Sequence, residues 1–420
     1  MNMNKKQVVS GFILLFAMIA LAIFQFSKNN MLTFQLLIGL SIGYILQRSR
    51  FGFAGGIRRI YNTGDSSLTK ALMFLFAITL IATAAIHYGA YINGAQVAYK
   101  AAAGAAIIPG SDYVEPANIA TVLGGILFGI GMMFGGGCAS GTLTDAGEGE
   151  GRGLIVLFFF CTGALWGAHD MPWWKESVFF KVHAQVYLPD VFGYIGTILL
   201  SLLGFLIIYI IAKKYESMRK RKNEYEPLKY EKWEEDLKEP KEYKFFSKET
   251  YHKFFVRRWS YYTGAVLLMI MFISIIVVTG TSWGVTAVFA HWASWFYGAL
   301  GIVDVSTWGW FQGQMDTVRG GFFNDPGSMR NMGILVGALI SPLLAGHFNF
   351  KKNFKLKDVI YYIIGGLLMG YGARIALGCN VGALYSGISN MSLSGWVFLP
   401  SLTLGGIIGV KLVKKLKITV

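Results

Sequence analysis

Twenty residues of this chain, Gly124 to Leu143 (GGILFGIGMMFGGGCASGTL), occur a second time as Gly365 to Leu384 (GGLLMGYGARIALGCNVGAL). Nine of the 20 positions are identical, among them Gly129/Gly370, Gly137/Gly378, Cys138/Cys379 and Gly141/Gly382. Each copy is an apolar run with a Gly-x-x-x-Gly face, followed by a glycine, a cysteine and a polar break. Small residues at that spacing let two membrane helices approach closely. A helix that breaks within lipid depth must hide its freed backbone groups in protein or around a cavity. Two such breaks in corresponding halves of one chain point to a shared binding site between them.

Composition fixes the setting. With 54% hydrophobic residues, 15% charged residues and a mean hydropathy of +0.49, the chain is expected to be an all-α polytopic membrane protein. The net charge of +15 has no aromatic-basic surface module beside it, so no nucleic acid is expected as a partner. Most Lys and Arg sit in short loops between apolar runs, where they orient helices. Three cysteines without a Cys-x-x-Cys and six histidines without ligand spacing give no disulfide framework, no metal site and no cofactor site. Residues 1–30 resemble a signal peptide, but the apolar run is long and no small-x-small site follows, so an uncleaved, extra N-terminal transmembrane helix is expected.

Read in order, residues 31–168 form a first membrane repeat, 191–212 a connecting transmembrane helix, 213–258 a charged linker and 261–413 a second membrane repeat. The linker mixes both signs of charge and reads as a soluble cytoplasmic tether. Placing the basic loops at Lys5, Arg48–Arg59, the linker, Lys351–Lys357 and Lys414–Lys417 inside puts both termini in the cytoplasm of a multi-pass inner-membrane protein. The two copies then run in opposite directions, provided that Trp283–Leu300 is re-entrant or interfacial. The expected architecture is two inverted repeats with broken or re-entrant short helices and about ten transmembrane spans. RSRFGFAGGIRR (Arg48 to Arg59) and GWFQGQMDTVRGGFFN (Gly309 to Asn324) are read as counterparts, aligned on Gly55-Gly56 and Gly320-Gly321.

The chemistry of the breaks favours an anion. A helix starting just past each cysteine offers free N–H groups and a positive dipole end. Arg374 lies inside an apolar helix, where an arginine is functional or paired by default. Ser140 and Asn380 add neutral donors beside Gly137 and Gly378. Two thiols add weak S–H donors suited to a polarisable acceptor such as a terminal sulfur. Cys161, unmatched in the second half, reads as a buried hydrophobe. Asp316 and Arg319, three residues apart, read as a pair.

The motifs RSRFGFAGGIRR, GGGCASGTLTDAGEGEG and GARIALGCNVGALYSGIS resemble the YeeE/YedE family of inner-membrane sulfur transporters over residues 31–413. The resemblance implies an hourglass of pseudo-twofold repeats, thiosulfate uptake along a cysteine route, and a TusA-like sulfurtransferase as cytoplasmic partner. Cys138 and Cys379 match two of the family's three route cysteines, whereas Gly52 stands where the third is expected. That departure leaves another sulfur species or a selenium compound as alternative cargo. A membrane thiol-redox protein using Cys138 and Cys379 is the rival reading from a different class, although no Cys-x-x-Cys or cofactor motif supports it.

Overall fold

The structure, a computed structural model, describes residues 3–235, 237, 245, 247–352 and 354–419. Its helices are α1 (Lys5–Phe26), α2 (Asn30–Ser49), α3 (Gly55–Thr63), α4 (Ser67–Ile92), α5 (Ile119–Gly135), α6 (Ala139–Gly147) and α7 (Gly151–Glu176). The chain continues with α8 (Pro189–Arg221), α9 (Tyr261–Thr279), α10 (Ala287–Ala299), α11 (Pro326–Ala345), α12 (Val359–Ile375), α13 (Asn380–Ser389) and α14 (Leu393–Leu416). Among the described residues, nine helices are long and apolar enough to span a membrane, or ten if the pair bent by 41° at Cys379 is one span. α10, with 13 residues, is too short to cross, as expected of the Trp283–Leu300 stretch.

Local signals set the ends of these helices. Asn118 and Thr121 form a capping box at the start of α5, and Asp325 with Pro326 opens α11. α2 stops at Arg50 and α9 at Gly280, both left-handed, and each is followed by a short helix instead of a return span.

The helix contacts come in mirrored pairs, in which each helix has a counterpart seven labels on. α2 packs on α11 as α9 packs on α4, and α7 packs on α12 as α14 packs on α5. α10 lies on α7 as α3 lies on α14, and α6 touches α11 as α13 touches α4. α5 and α12 pack on each other at the centre. α1 against α11 and α8 against α4 complete the pattern, so these two helices, read from sequence as outside the repeats, are counterparts as well. Counting only crossing helices, each counterpart lies five spans on. Five is odd, so the halves are inverted.

The second short helix was misread from sequence. Met315–Gly320 buries no residue, and no ion pair joins Asp316 to Arg319. The counterpart of Phe51-Gly52-Phe53-Ala54-Gly55 is Trp283-Gly284-Val285-Thr286-Ala287, which leads into α10 as the first leads into α3. An intramembrane turn needs an aromatic to fill the core beside a glycine, and both segments supply that pair. Both aromatics, Phe51 and Trp283, are buried.

The Gly-x-x-x-Gly faces are contact surfaces. A methyl group on Gly129 would lie 2.5 Å from the Leu402 carbonyl oxygen, and one on Gly370 would collide with the Phe160 carbonyl. Gly370→Ala is therefore expected to cost about 1–3 kcal/mol, read as a lower thermal midpoint of the detergent-solubilised protein. Gly89→Ala, with no atom within 4 Å of its new methyl, should not lower it.

Candidate functional site

Both cysteines sit at true breaks. α5 ends on Gly136 (φ 85°), and Cys138 is the extended N-cap of α6, its carbonyl accepting from Thr142 N–H at 2.7 Å. α12 ends past Arg374. Leu377 then takes the left-handed conformation (φ 57°), and the carbonyl of extended Cys379 accepts from Ala383 N–H at 2.8 Å. A left-handed non-glycine residue is strained by roughly 1–2 kcal/mol. Gly136 makes the same turn in the first half without that strain. Gly137 and Gly378 are glycine because the next helix folds back on them: a methyl on Gly378 would meet Ala383 N at 2.5 Å. Thus the carbonyl at each break is taken up by the first turn of the next helix.

The two breaks meet. α6 contacts α13, and Cys138 (1% exposed) and Cys379 (0%) are both buried. The Cys138 sulfur lies 3.5 Å from Ser140 Oγ, and Asn380 Nδ2 lies 3.8 Å from Met132 Sδ. The Asn380 Oδ1 has no hydrogen-bond partner. Aromatic rings close the centre: Phe53, Trp283, Phe76 and Phe272 all pack on Tyr385.

A cavity approaches this centre from each face. The first, of about 500 Å³, is walled by Gly52, Ala54 and Gly55 on one side and Gly137, Cys138 and Gly141 on the other. Arg50, Arg58, Arg59 and Arg152 line it, opposed by Asp145 and Glu148. Arg58 donates to the Gly136 carbonyl at 3.0 Å, and Arg152 pairs with Asp145 at 3.0 Å while donating to the Gly135 carbonyl. Two of the α5 carbonyls that end at the break are thus covered by guanidinium groups. Gly52 faces open space, with nothing within 4 Å of an added methyl.

Part of the charged linker docks at the mouth of this cavity. Glu234, 3% exposed, pairs with Arg50 at 3.0 Å, and Trp233 stacks on His347. The linker is therefore more than a tether here.

The second cavity, of about 260 Å³, is built by the mirrored elements: Gly284, Val285, Thr286 and Ala287 on one side, Leu377, Gly378 and Gly382 on the other. It lies beyond α4 from the first, at the loop of residues 93–118, and Asp112, Tyr113 and Glu115 of that loop line it. Arg374 completes its wall. The Arg374 guanidinium donates to Thr286 Oγ1 at 3.0 Å and lies 5.2 Å from the centre of the Trp310 ring. Its Nε has no partner, and among the described residues no carboxylate pairs with it.

The structure therefore brings Gly52, Gly137 and Cys138 together around the first cavity, with Ser140 buried beside the Cys138 sulfur, and Arg374 and Gly378 around the second. Cys379 and Asn380 lie between them. Cys161, in α7, lines neither cavity. Sequence reasoning missed Thr286, Trp310 and the two acids of the 93–118 loop. The aromatic–glycine pair Trp283-Gly284, matching Phe51-Gly52, was the available signal for Thr286.

The profile of the family described as Sulphur transport matches residues 48–408. The thiosulfate transporter TsuA of Escherichia coli K12 is 23% identical over 90% of this chain and 93% of its own length. TsuA of Spirochaeta thermophila is 25% identical over 86% of this chain and 93% of its own. The probable transporter YedE of E. coli K12 is 27% identical over 38% of this chain, which spans about two fifths of YedE. These relatives are named as transporters and none as an enzyme. With a match running from the first arginine-flanked turn into the last helix, the chain belongs to the sulphur transport family.

Proposed function

We propose that this protein takes up thiosulfate, or a closely related sulfur oxyanion, across the inner membrane through the paired breaks. The observation that carries the reading is the arrangement of two cavities on opposite faces, one reaching Gly137 and Cys138 and the other Gly378, separated by a buried centre that holds Cys379. The positive-inside rule assigns the cavity with four arginines, and the linker docked at its mouth, to the cytoplasm. Both termini are assigned to the same side.

In this reading the dianion enters past Arg374, which supplies the charge-assisted hydrogen bonds that offset its loss of water. The thiols of Cys379 and Cys138 then donate to its polarisable terminal sulfur in turn, aided by Asn380 and Ser140. A hydrogen-bonding thiol must stay protonated, and a dry, apolar surround keeps it so. The arginines of the inner cavity receive the anion. Gly52 contributes room there, and guanidinium groups take over the step for which the family uses a third thiol. A TusA-like sulfurtransferase at the cytoplasmic mouth would accept the cargo.

Uptake in a strain with no other route for thiosulfate or sulfate, grown on thiosulfate as sole sulfur source, tests this. Cys138→Ala and Cys379→Ala should each lower kcat/KM by about tenfold or more, since a hydrogen bond to a charged group contributes roughly 1.5–3 kcal/mol. Cys161→Ala should leave uptake unchanged. Equal growth of all three variants would remove the thiol route.

Arg374→Gln should raise KM by about 10- to 100-fold on the same energy scale, with Arg374→Lys intermediate because it keeps the charge and loses the fork. At the other cavity, Gly52→Cys should fold and transport like the wild type, because open space surrounds the position. A large rise in uptake would show that the arginines do not replace the missing thiol.

A further inference from the structure

The outer cavity holds a contradiction for an anion carrier. Its single arginine, Arg374, faces a wall that carries two carboxyl groups, Asp112 and Glu115. Asp112 keeps an edge open to the vestibule while protein packs around the rest of it, Glu115 is half-buried, and neither forms an ion pair among the described residues. With both acids ionised the vestibule carries one net negative charge, and a doubly charged guest would raise that to three in a space of about 260 Å³. Like charges confined to one small cavity repel each other more strongly than they would in open water. One proton on either acid brings the same vestibule to zero net charge, which removes the net repulsion of the guest.

We infer that the outer vestibule binds its anion together with a proton, held on Asp112 or Glu115 and released again to the outside as the anion moves on, so that capture of the anion depends on the outside pH. The inference rests on the transport reading above and adds a proton-linked capture step at the outer mouth.

The surroundings of the acids fit this role. They sit in the loop before α5, outside the spanning helices. Burial by the surrounding protein raises Asp112 to about 6 and Glu115 to about 7, where the neighbouring Asp112 charge adds to the rise and Lys175 opposes it. Backbone hydrogen bonds, one of them to Ser282, hold Asp112 lower than burial alone would. The other charged or titratable groups around the wall are Arg374 from α12, Tyr113 between the two acids, Arg330 of α11 behind Tyr113, and Cys379 at the start of α13. Raised carboxyls are ionised above these values and take up protons as the outside pH falls through 7 towards 6. An arriving dianion raises them further, because it favours the neutral form. By linkage, protonation then raises anion affinity by the same factor.

Calorimetry of thiosulfate binding to the purified full-length protein, in two buffers of different ionisation enthalpy at pH 7.5, reads protons taken up per anion directly. The expected result is an uptake approaching one proton, and an affinity that falls about tenfold per pH unit above 7. The double variant Asp112→Asn, Glu115→Gln should bind without proton uptake and with little pH dependence. Lys175→Met should move the pH midpoint upwards, since it removes a charge that lowers Glu115. Wild-type binding that is equal in both buffers and flat between pH 6 and 8 overturns the proton-linked capture and leaves the transport reading standing. A wild-type protein that binds no thiosulfate at either pH overturns both. The wild-type measurement decides the matter even if the double variant does not fold.

Discussion

The structure depends on one constraint: in hydrocarbon, a backbone N–H or C=O without a partner costs several kcal/mol, so a helix breaks only where protein replaces what it loses. Both cysteines sit where the partners of the carbonyls are so replaced. The carbonyl of each accepts from the first turn of the helix that follows, and the last carbonyls of α5 are capped by the guanidinium groups of Arg58 and Arg152. Glycine at 137 and 378 is the steric condition for this local closure. With these carbonyls satisfied, the start of each second helix points at the centre, and the side chain at the break is free for other duties.

The same constraint explains what was legible in the sequence. The Gly-Cys breaks could be read because few residue types fit them, so both copies kept the same letters. The inversion followed from the count of apolar runs between basic loops. The partner of the Arg48–Arg59 segment was misassigned because it was sought by its arginines and glycine pair. The fold preserves instead an aromatic and a glycine at the turn, Phe51-Gly52 and Trp283-Gly284, while the charges that flank the first are absent from the second. Charge around such a turn is set by the water on its side of the membrane and drifts freely. The buried ring is set by packing, and so is the glycine of the second turn, where a methyl on Gly284 would collide with the Tyr113 hydroxyl; Gly52 has no such neighbour.

α1 and α8 were set outside the repeats for a related reason. Each faces mostly outwards, and only their contacts with α11 and α4 reveal the correspondence. Lipid accepts any apolar residue, so a lipid-facing helix carries little sequence information. Asp112 and Glu115 were invisible for the opposite reason. They lie in a weakly polar loop with no periodicity, and only the fold turns that loop against α10 and α12.

The halves are alike in backbone and unlike in charge: arginines surround Cys138, whereas acids stand outside Cys379. This fixed asymmetry works as a slope in electrostatic potential across the protein. A slope built into the scaffold cannot by itself accumulate solute, since whatever it lends on the way in it reclaims on the way out. It decides which chamber fills first. On the proposed route, the arginine-lined chamber would be the one occupied at low cargo levels, and whatever removes cargo from the Glu234-guarded mouth would set the pace of the whole passage.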